Sequence, residues 1–276
     1  AGGADGTRGL GCFVLPRTLD GSPNGFALRR LKDKLGTRGL ASGEIDFDGA
    51  IAWPIGPVEH GFRTAVGVVL NTSRWATAVG CTGMMRRALL EATAYARHRR
   101  AFGQSISDFP VVRRMLADMR TAWLGSLHLV FQLTELEDRV DRDDADERDR
   151  LLHRFLVNAV KYSTSARATQ VVRDAIEIFG GNGTIEDFSV LPRLYRDAIV
   201  YESWEGTHNV LVAQVLNDLR RLPIFDALDD YVGELLEGAP PELRAKYAAV
   251  RDDAVQAMKD EEFGALHFRS ILDRLT

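Results

Sequence analysis

The sequence predicts a mainly α fold, an up-and-down helical bundle preceded by part of a small antiparallel β-domain, with residues 1–56 assigned to the β part and 57–276 to the bundle. Three observations carry this. Up to about residue 54 the chain consists of short alternating or β-branched pieces, GCFVL, GFALRRL and GEIDFDGAIAW, separated by Gly, Pro, Asn and Asp. From Pro57 onward the apolar residues switch to helical spacing. With 276 residues, 45% of them hydrophobic and 27% charged, the chain has enough material to bury a core without staples.

The first predicted helix runs from His60 to Arg99, with Phe62, Val66, Val69, Val79, Met84, Ala88, Leu89 and Ala92 near helical spacing. Phe109-Pro110 opens the next, which continues to about Arg139 because proline is tolerated in a first turn. The mixed-sign run ELEDRVDRDDADERDR then reads as a solvated turn between antiparallel helices. A helix from about Asp149 to Phe179 turns Leu152, Phe155, Leu156, Ala159, Val160 and Ala166 inward and stops at GGNGT, where glycines end helices at little cost. Another spans Thr207 to Arg221. The remainder, including PPELRAKYAAVRDDAVQAM, supplies two or three more helices and no repeats.

The net charge of −4 and pI of about 5.9 argue against bulk attraction to nucleic acid, although a local basic patch is compatible with them. The longest apolar run, VGVVL, is far too short to span a membrane. Cys12 and Cys81 read as reduced core residues, which points to a cytoplasmic protein, and the six scattered histidines form no ligand pair, so no metal site is expected. The chain starts AGGADGTRGL without Met and runs directly into strand-like sequence, from which a longer parent protein is expected.

Four features could carry chemistry. In YESWEGTHNV, Glu205 sits between Trp204 and Gly206 just before a helix that Thr207 can cap. A helix-start acid is stabilised as the carboxylate, whereas a general base gains from desolvation by aromatic neighbours; the stretch alone fits either. Arg74 lies in the apolar helical stretch GVVLNTSRWATAVGC and must meet a carboxylate, a phosphate or a cleft, since an unpaired buried guanidinium is heavily penalised. The basic cluster RHRRAFGQ reads as favourable charge at a helix C-terminus ended by Gly103, or as a place for an anion. GGNG at 180–183 could let backbone N–H groups approach a ligand, though a Gly-rich helix stop is common. There is no Walker motif and no GxGxxG.

The order and spacing of RLKDKLGTRGLASGEIDFDGA, RRAFGQSISDFPVVRRMLADM, AIEIFGGNGT, LPRLYRDA and WEGTHNV resemble the acyl-CoA dehydrogenase family of flavoproteins over about residues 10–221. MMRRA and WEGTHN look most like the branch that includes the bacterial alkylation-response flavoprotein. The resemblance implies that Glu205 removes the α-proton of an acyl-CoA while the β-hydrogen leaves as hydride to FAD. Some members place the base one residue before the position of Arg74; here that residue is Ser73, so Glu205 has no rival. It also implies that Arg99 and Phe102 contact the cofactor of a neighbouring subunit, that Gly180 and Gly181 lie near its adenine end, and that Thr207 and Asn209 touch it beside the catalytic turn. Arg74, Trp204 and Gly206 fall at substrate positions. Expected partners are an acyl-CoA, an electron-transfer flavoprotein and further copies in a homodimer or homotetramer. A DNA-associated stress role and a purely oligomerising helical core are the other readings.

The chain departs from the family pattern at Pro110 and Glu177, where Gln is usual, and at Asn209, commonly Gln. The family's N-terminal helical domain and the first half of its β-domain have no counterpart in this sequence, so weak retention of FAD is expected.

Overall fold

The computed structural model describes residues 6–276, which divide into two compact units, one up to Ser73 and the other Arg74–Thr276. In the first unit, β1 (Phe13–Val14) pairs with β6 (Trp53–Pro54), β2 (Thr18–Leu19) with β3 (Ser22–Pro23), and β4 (Phe26–Leu31) with β5 (Gly43–Phe47), all antiparallel. Cross-strand ion pairs Arg29–Asp46 and Arg30–Glu44 reinforce the register of β4 on β5. Asn24, 2% exposed, ties the loops together by donating from Nδ2 to the Pro16 and Ile51 carbonyls and accepting from the Ile51 N–H. A short α1 (Gly61–Thr64) and a π-helical turn (Ala65–Leu70) lead into α2 (Asn71–His98), within which the division between the units falls.

In the second unit α2 ends in a tight hairpin of β7 (Arg100–Ala101) and β8 (Gln104–Ser105). Phe102 and Gly103, at its tip, both have positive φ (49° and 89°), as a two-residue hairpin loop of the primed type requires. Gly103 therefore turns a hairpin and does not terminate the helix. Then come α3 (Pro110–Asp141), α4 (Glu147–Phe179), α5 (Leu191–Ser203), α6 (His208–Arg221), α7 (Ile224–Leu235), α8 (Pro241–Lys259) and α9 (Glu261–Leu275). A helical bundle together with a small antiparallel β part is the architecture the sequence predicts. The charged run forms the last turns of α3 and the link to α4, where the Asp146 carboxylate caps the helix by accepting from the Asp149 N–H at 2.7 Å.

α4 is the axis. Every residue from Phe155 to Ser165 is buried, and the helix takes part in two apolar clusters. Its N-terminal half packs with Leu133 and Leu136 of α3, Leu211 and Leu219 of α6, Ile224 of α7, Ala254 of α8 and Phe268 of α9. Its C-terminal half packs with Met85 and Leu89 of α2, Met119 of α3 and Leu191 of α5. Each such side chain contributes on the order of 1.5–3 kcal/mol when fully buried. α5, which the apolar spacing does not announce, carries the chain from the GGNG turn to the sequence around Glu205.

Candidate active site

Trp204 ends α5, its N–H still bonded to the Val200 carbonyl, and α6 begins at His208. The intervening turn is strained: Glu205 has φ 56° and Gly206 φ 106°. Left-handed backbone at a residue with a Cβ costs of order 1–3 kcal/mol and persists only where its surroundings over-determine it. At Gly206 a Cβ would lie 3.1 Å from Leu211 Cδ2, so both the angle and the space call for glycine. Thr207 occupies the N-cap position of α6, but its hydroxyl makes no capping bond, contrary to the sequence expectation.

Two cations bolt the main chain of this turn. Arg74, 4% exposed, donates from Nε to the Glu205 carbonyl at 3.0 Å and from Nη1 to Asn158 Oδ1 at 2.7 Å. Lys161, 0% exposed, donates to the carbonyls of Glu202 at 3.1 Å and Gly206 at 2.8 Å. Burial lowers the pKa of both, to about 8 for Lys161, with the Glu205 carboxylate opposing the shift in each case. The Glu205 side chain, half-buried, makes no hydrogen bond or ion pair among the described residues. The main chain is held at the Glu202, Glu205 and Gly206 carbonyls while the Glu205 carboxylate stays uncommitted, within the field of two buried cations.

Aromatic rings flank the turn. Tyr201 and Trp204 have centroids 4.4 Å apart, and the buried indole Nε1 of Trp204 has no hydrogen-bond partner among the described residues. On the α4 side, His208 Nε2 lies 3.1 Å from Ser165 Oγ and its Nδ1 3.9 Å from Glu202. Despite its serine–histidine–carboxylate order this is no nucleophile relay, because Ser165 is wholly buried and donates to the Lys161 carbonyl.

The other predicted positions form a second group. Tyr95 of α2 stacks on Phe179 at 4.0 Å, and Asn182 Nδ2 donates to its hydroxyl at 3.1 Å, so the end of α2 and the GGNG turn share one end of the bundle. Arg99, exposed, starts one helical turn beyond Tyr95; Phe102 is 94% exposed; Gly180 and Gly181 are exposed, with no atom within 4 Å of an added Cβ. A guanidinium without a partner among the described residues, an exposed aromatic ring and open glycine backbone suit the diphosphate and rings of a dinucleotide. Thr207 and Asn209, both exposed, sit instead beside Glu205. The predicted residues thus gather at two places: the turn with Arg74, Trp204, Glu205, Gly206, Thr207 and Asn209, and the bundle end with Arg99, Phe102, Gly180 and Gly181.

Sequence reasoning missed Asn158 and Lys161. The signal was there, since a lysine inside LVNAVKYSTSAR raises the same desolvation problem as Arg74. Of the arginines that could form a basic face for nucleic acid, Arg86 lies over Trp123, Arg87 and Arg114 pair with Glu91 and Asp118, and Arg220 donates to the carbonyls of Ala257, Met258 and Asp260.

The sequence profile of the family "Acyl-CoA dehydrogenase, C-terminal domain" matches residues 59–219. The Escherichia coli (strain K12) acyl-CoA dehydrogenase-like protein AidB is 37% identical over 224 residues, 80% of this chain and 40% of its own length. Among solved structures, Bd2924 in its apo form superposes with a TM-score of 0.88 at 30% identity, covering 99% of this chain and 53% of that one. Caenorhabditis elegans ACDH-11 in complex with C11-CoA gives 0.84 at 34% identity, over 93% of this chain and 44% of that one. This chain therefore spans about two fifths to one half of the length of these proteins.

Proposed function

Since this chain belongs to the acyl-CoA dehydrogenase family through its C-terminal domain, we propose that it supplies the base for FAD-dependent α,β-dehydrogenation of an acyl-CoA thioester. The observation that carries the reading is Glu205, a strained residue whose carbonyl is fixed by Arg74 and whose carboxylate is left free. A carboxylate can accept the α-proton only if it is not already engaged. As that proton moves to Glu205, the α-C–H electron pair becomes the new double bond and the β-hydrogen departs with its own pair. Bound FAD supplies the two-electron acceptor for that hydrogen.

The side chains around Glu205 orient the thioester. Trp204 and Tyr201 set an aromatic pair beside the turn, and the Trp204 indole N–H is a buried donor with no partner among the described residues. Gly206 lets a ligand approach the main chain closely. Arg74 belongs to the substrate cleft through its hold on the turn. Arg99, Phe102, Gly180 and Gly181 would hold the dinucleotide, and Thr207 and Asn209 its part nearest Glu205.

Residues 1–56 are assigned to the end of a β-domain and 57–276 to the bundle. The working protein is assigned as a cytoplasmic homodimer or homotetramer that passes electrons to an electron-transfer flavoprotein. The complex of ACDH-11 with C11-CoA supports an acyl-CoA as substrate class. No helix among the described residues is long and apolar enough to cross a membrane.

The test is flavin absorbance of the FAD-loaded protein titrated with C11-CoA. Bleaching in the parent, and its slowing by several orders of magnitude in Glu205→Gln with the flavin still bound, is the expected result. Equal bleaching in both removes Glu205 as the base.

A further inference from the structure

Lys161 plays no part in the proton transfer, yet it is the more deeply buried of the two cations at the turn. It is 0% exposed and has no ion-pair partner among the described residues. An ammonium taken from water without an anion carries a heavy desolvation cost, which the depressed pKa records. What it receives instead is two carbonyl oxygens: Glu202, in the last turn of α5, and Gly206, beyond the strained residue. The first contact places a positive charge at the negative end of a helix, which is favourable by itself. The second has no such explanation, because Gly206 lies outside both helices.

The geometry accounts for it. Arg74 fixes one carbonyl, that of Glu205, and a turn fastened at one point can still pivot about it. The two Lys161 bonds fall before and after Glu205 and remove that freedom. Both cations also work from a common base, since Arg74 is itself bonded to Asn158, one turn before Lys161 on α4. We infer that Lys161 is a positioning residue for Glu205, its ammonium clamping the carbonyls on either side so that the left-handed backbone holds the carboxylate in one direction. The inference rests on Glu205 as base.

The experiment pairs amide hydrogen exchange with steady-state kinetics in the FAD-loaded protein, using C11-CoA as the probe. Lys161→Met should raise exchange in residues 203–207 by about tenfold or more, while the rest of α4 keeps its protection. It should lower kcat by about tenfold or more with KM within about threefold, because a misaimed base impairs the transition state more than binding. Lys161→Arg, which restores the charge and the donors, should recover part of both losses. If the methionine variant does not fold, Lys161→Gln, with a single amide donor group, is read in the same way. Unchanged exchange at the turn, or a loosened turn with unchanged kcat, overturns the inference. Turnover lost in Glu205→Gln but kept in Lys161→Met removes Lys161 and leaves the base standing; full turnover in Glu205→Gln removes both.

Discussion

The Arg74 guanidinium donates to the main-chain carbonyl of Glu205, 131 residues further along the chain, at 3.0 Å. The contact goes to the backbone, so it fixes where Glu205 stands without neutralising its carboxylate. Arg74 spans this carbonyl and Asn158 Oδ1, and Asn158 is 1% exposed. Lysine has one nitrogen for two diverging acceptors. Arg74→Lys should therefore leave one buried acceptor unmet and cost about 1–3 kcal/mol, read as a lowered urea midpoint with an unchanged slope. A midpoint equal to the parent's would show that the bridge contributes nothing.

Gly80 of α2 offers a probe from the opposite side of the aromatic pair. A Cβ there would come within 2.9 Å of the Tyr201 ring, which lies tilted against Trp204 at 4.4 Å between centroids. Gly80→Ala should displace that ring, while the better helix propensity of alanine, worth about 1 kcal/mol, offsets part of the strain. The expected signature is a shift in Trp204 emission, isolated by difference against Trp204→Phe, with little change in melting temperature. Identical emission would mean that Tyr201 does not set the position of Trp204.

The buried cation gives stability a pH dependence of defined sign. Lys161 titrates at about 8 in the folded chain against an ordinary 10.5, so from pH 8 upward the unfolded chain binds the extra proton and stability rises, by at most about 1.4 kcal/mol per pH unit. Burial pushes the Cys81 thiol the other way, up to about 12 from 9.0. Above pH 9 the unfolded thiol ionises while the folded one does not, and stability falls. Urea unfolding should show the parent gaining on Lys161→Met between pH 8 and 9, and Cys81→Ala losing the downturn at higher pH. A difference between parent and Lys161→Met that is flat with pH would rule out a depressed lysine.

Phe102 is 94% exposed at the tip of its hairpin. A ring that buries so little, with an edge contact to Phe109, adds little to folding, so Phe102→Ala should leave the stability within about 0.5 kcal/mol of the parent's. If the ring packs on FAD, the same change should weaken cofactor binding by about tenfold, measured by fluorescence titration. Unaltered FAD affinity would take Phe102 out of the cofactor site.

Much of this was legible from residue order. The extents of α2, α3, α4 and α6 come from spacing, proline starts and the glycine stop. The apolar stripe failed early in the first helix, where Phe62, Val69 and Val79 are 43%, 57% and 43% exposed. The π-helical turn at Ala65–Leu70 adds a residue to the local repeat and rotates the helix beyond it, and no single-letter pattern announces that. In α4 the polar letters of KYSTS suggest a wet face, yet Thr164 and Ser165 satisfy their hydroxyls on the carbonyls of Val160 and Lys161 and stay dry. Glu205 and Arg74 stood out because each posed an electrostatic problem. Which acceptors solve it depends on contacts more than forty residues apart, as between Lys161 and Gly206, and only the fold brings those together.

α4 lines both apolar clusters, and neither has a complete wall without it. Its withdrawal would expose Phe155 in one cluster and Val172 in the other in a single event, so the two should melt as one cooperative unit. Global unfolding of the bundle then also releases the turn that carries Glu205. A substitution in the cluster around Phe268 of α9, beyond the matched residues 59–219, should make that global release more frequent, in addition to any local opening of the turn.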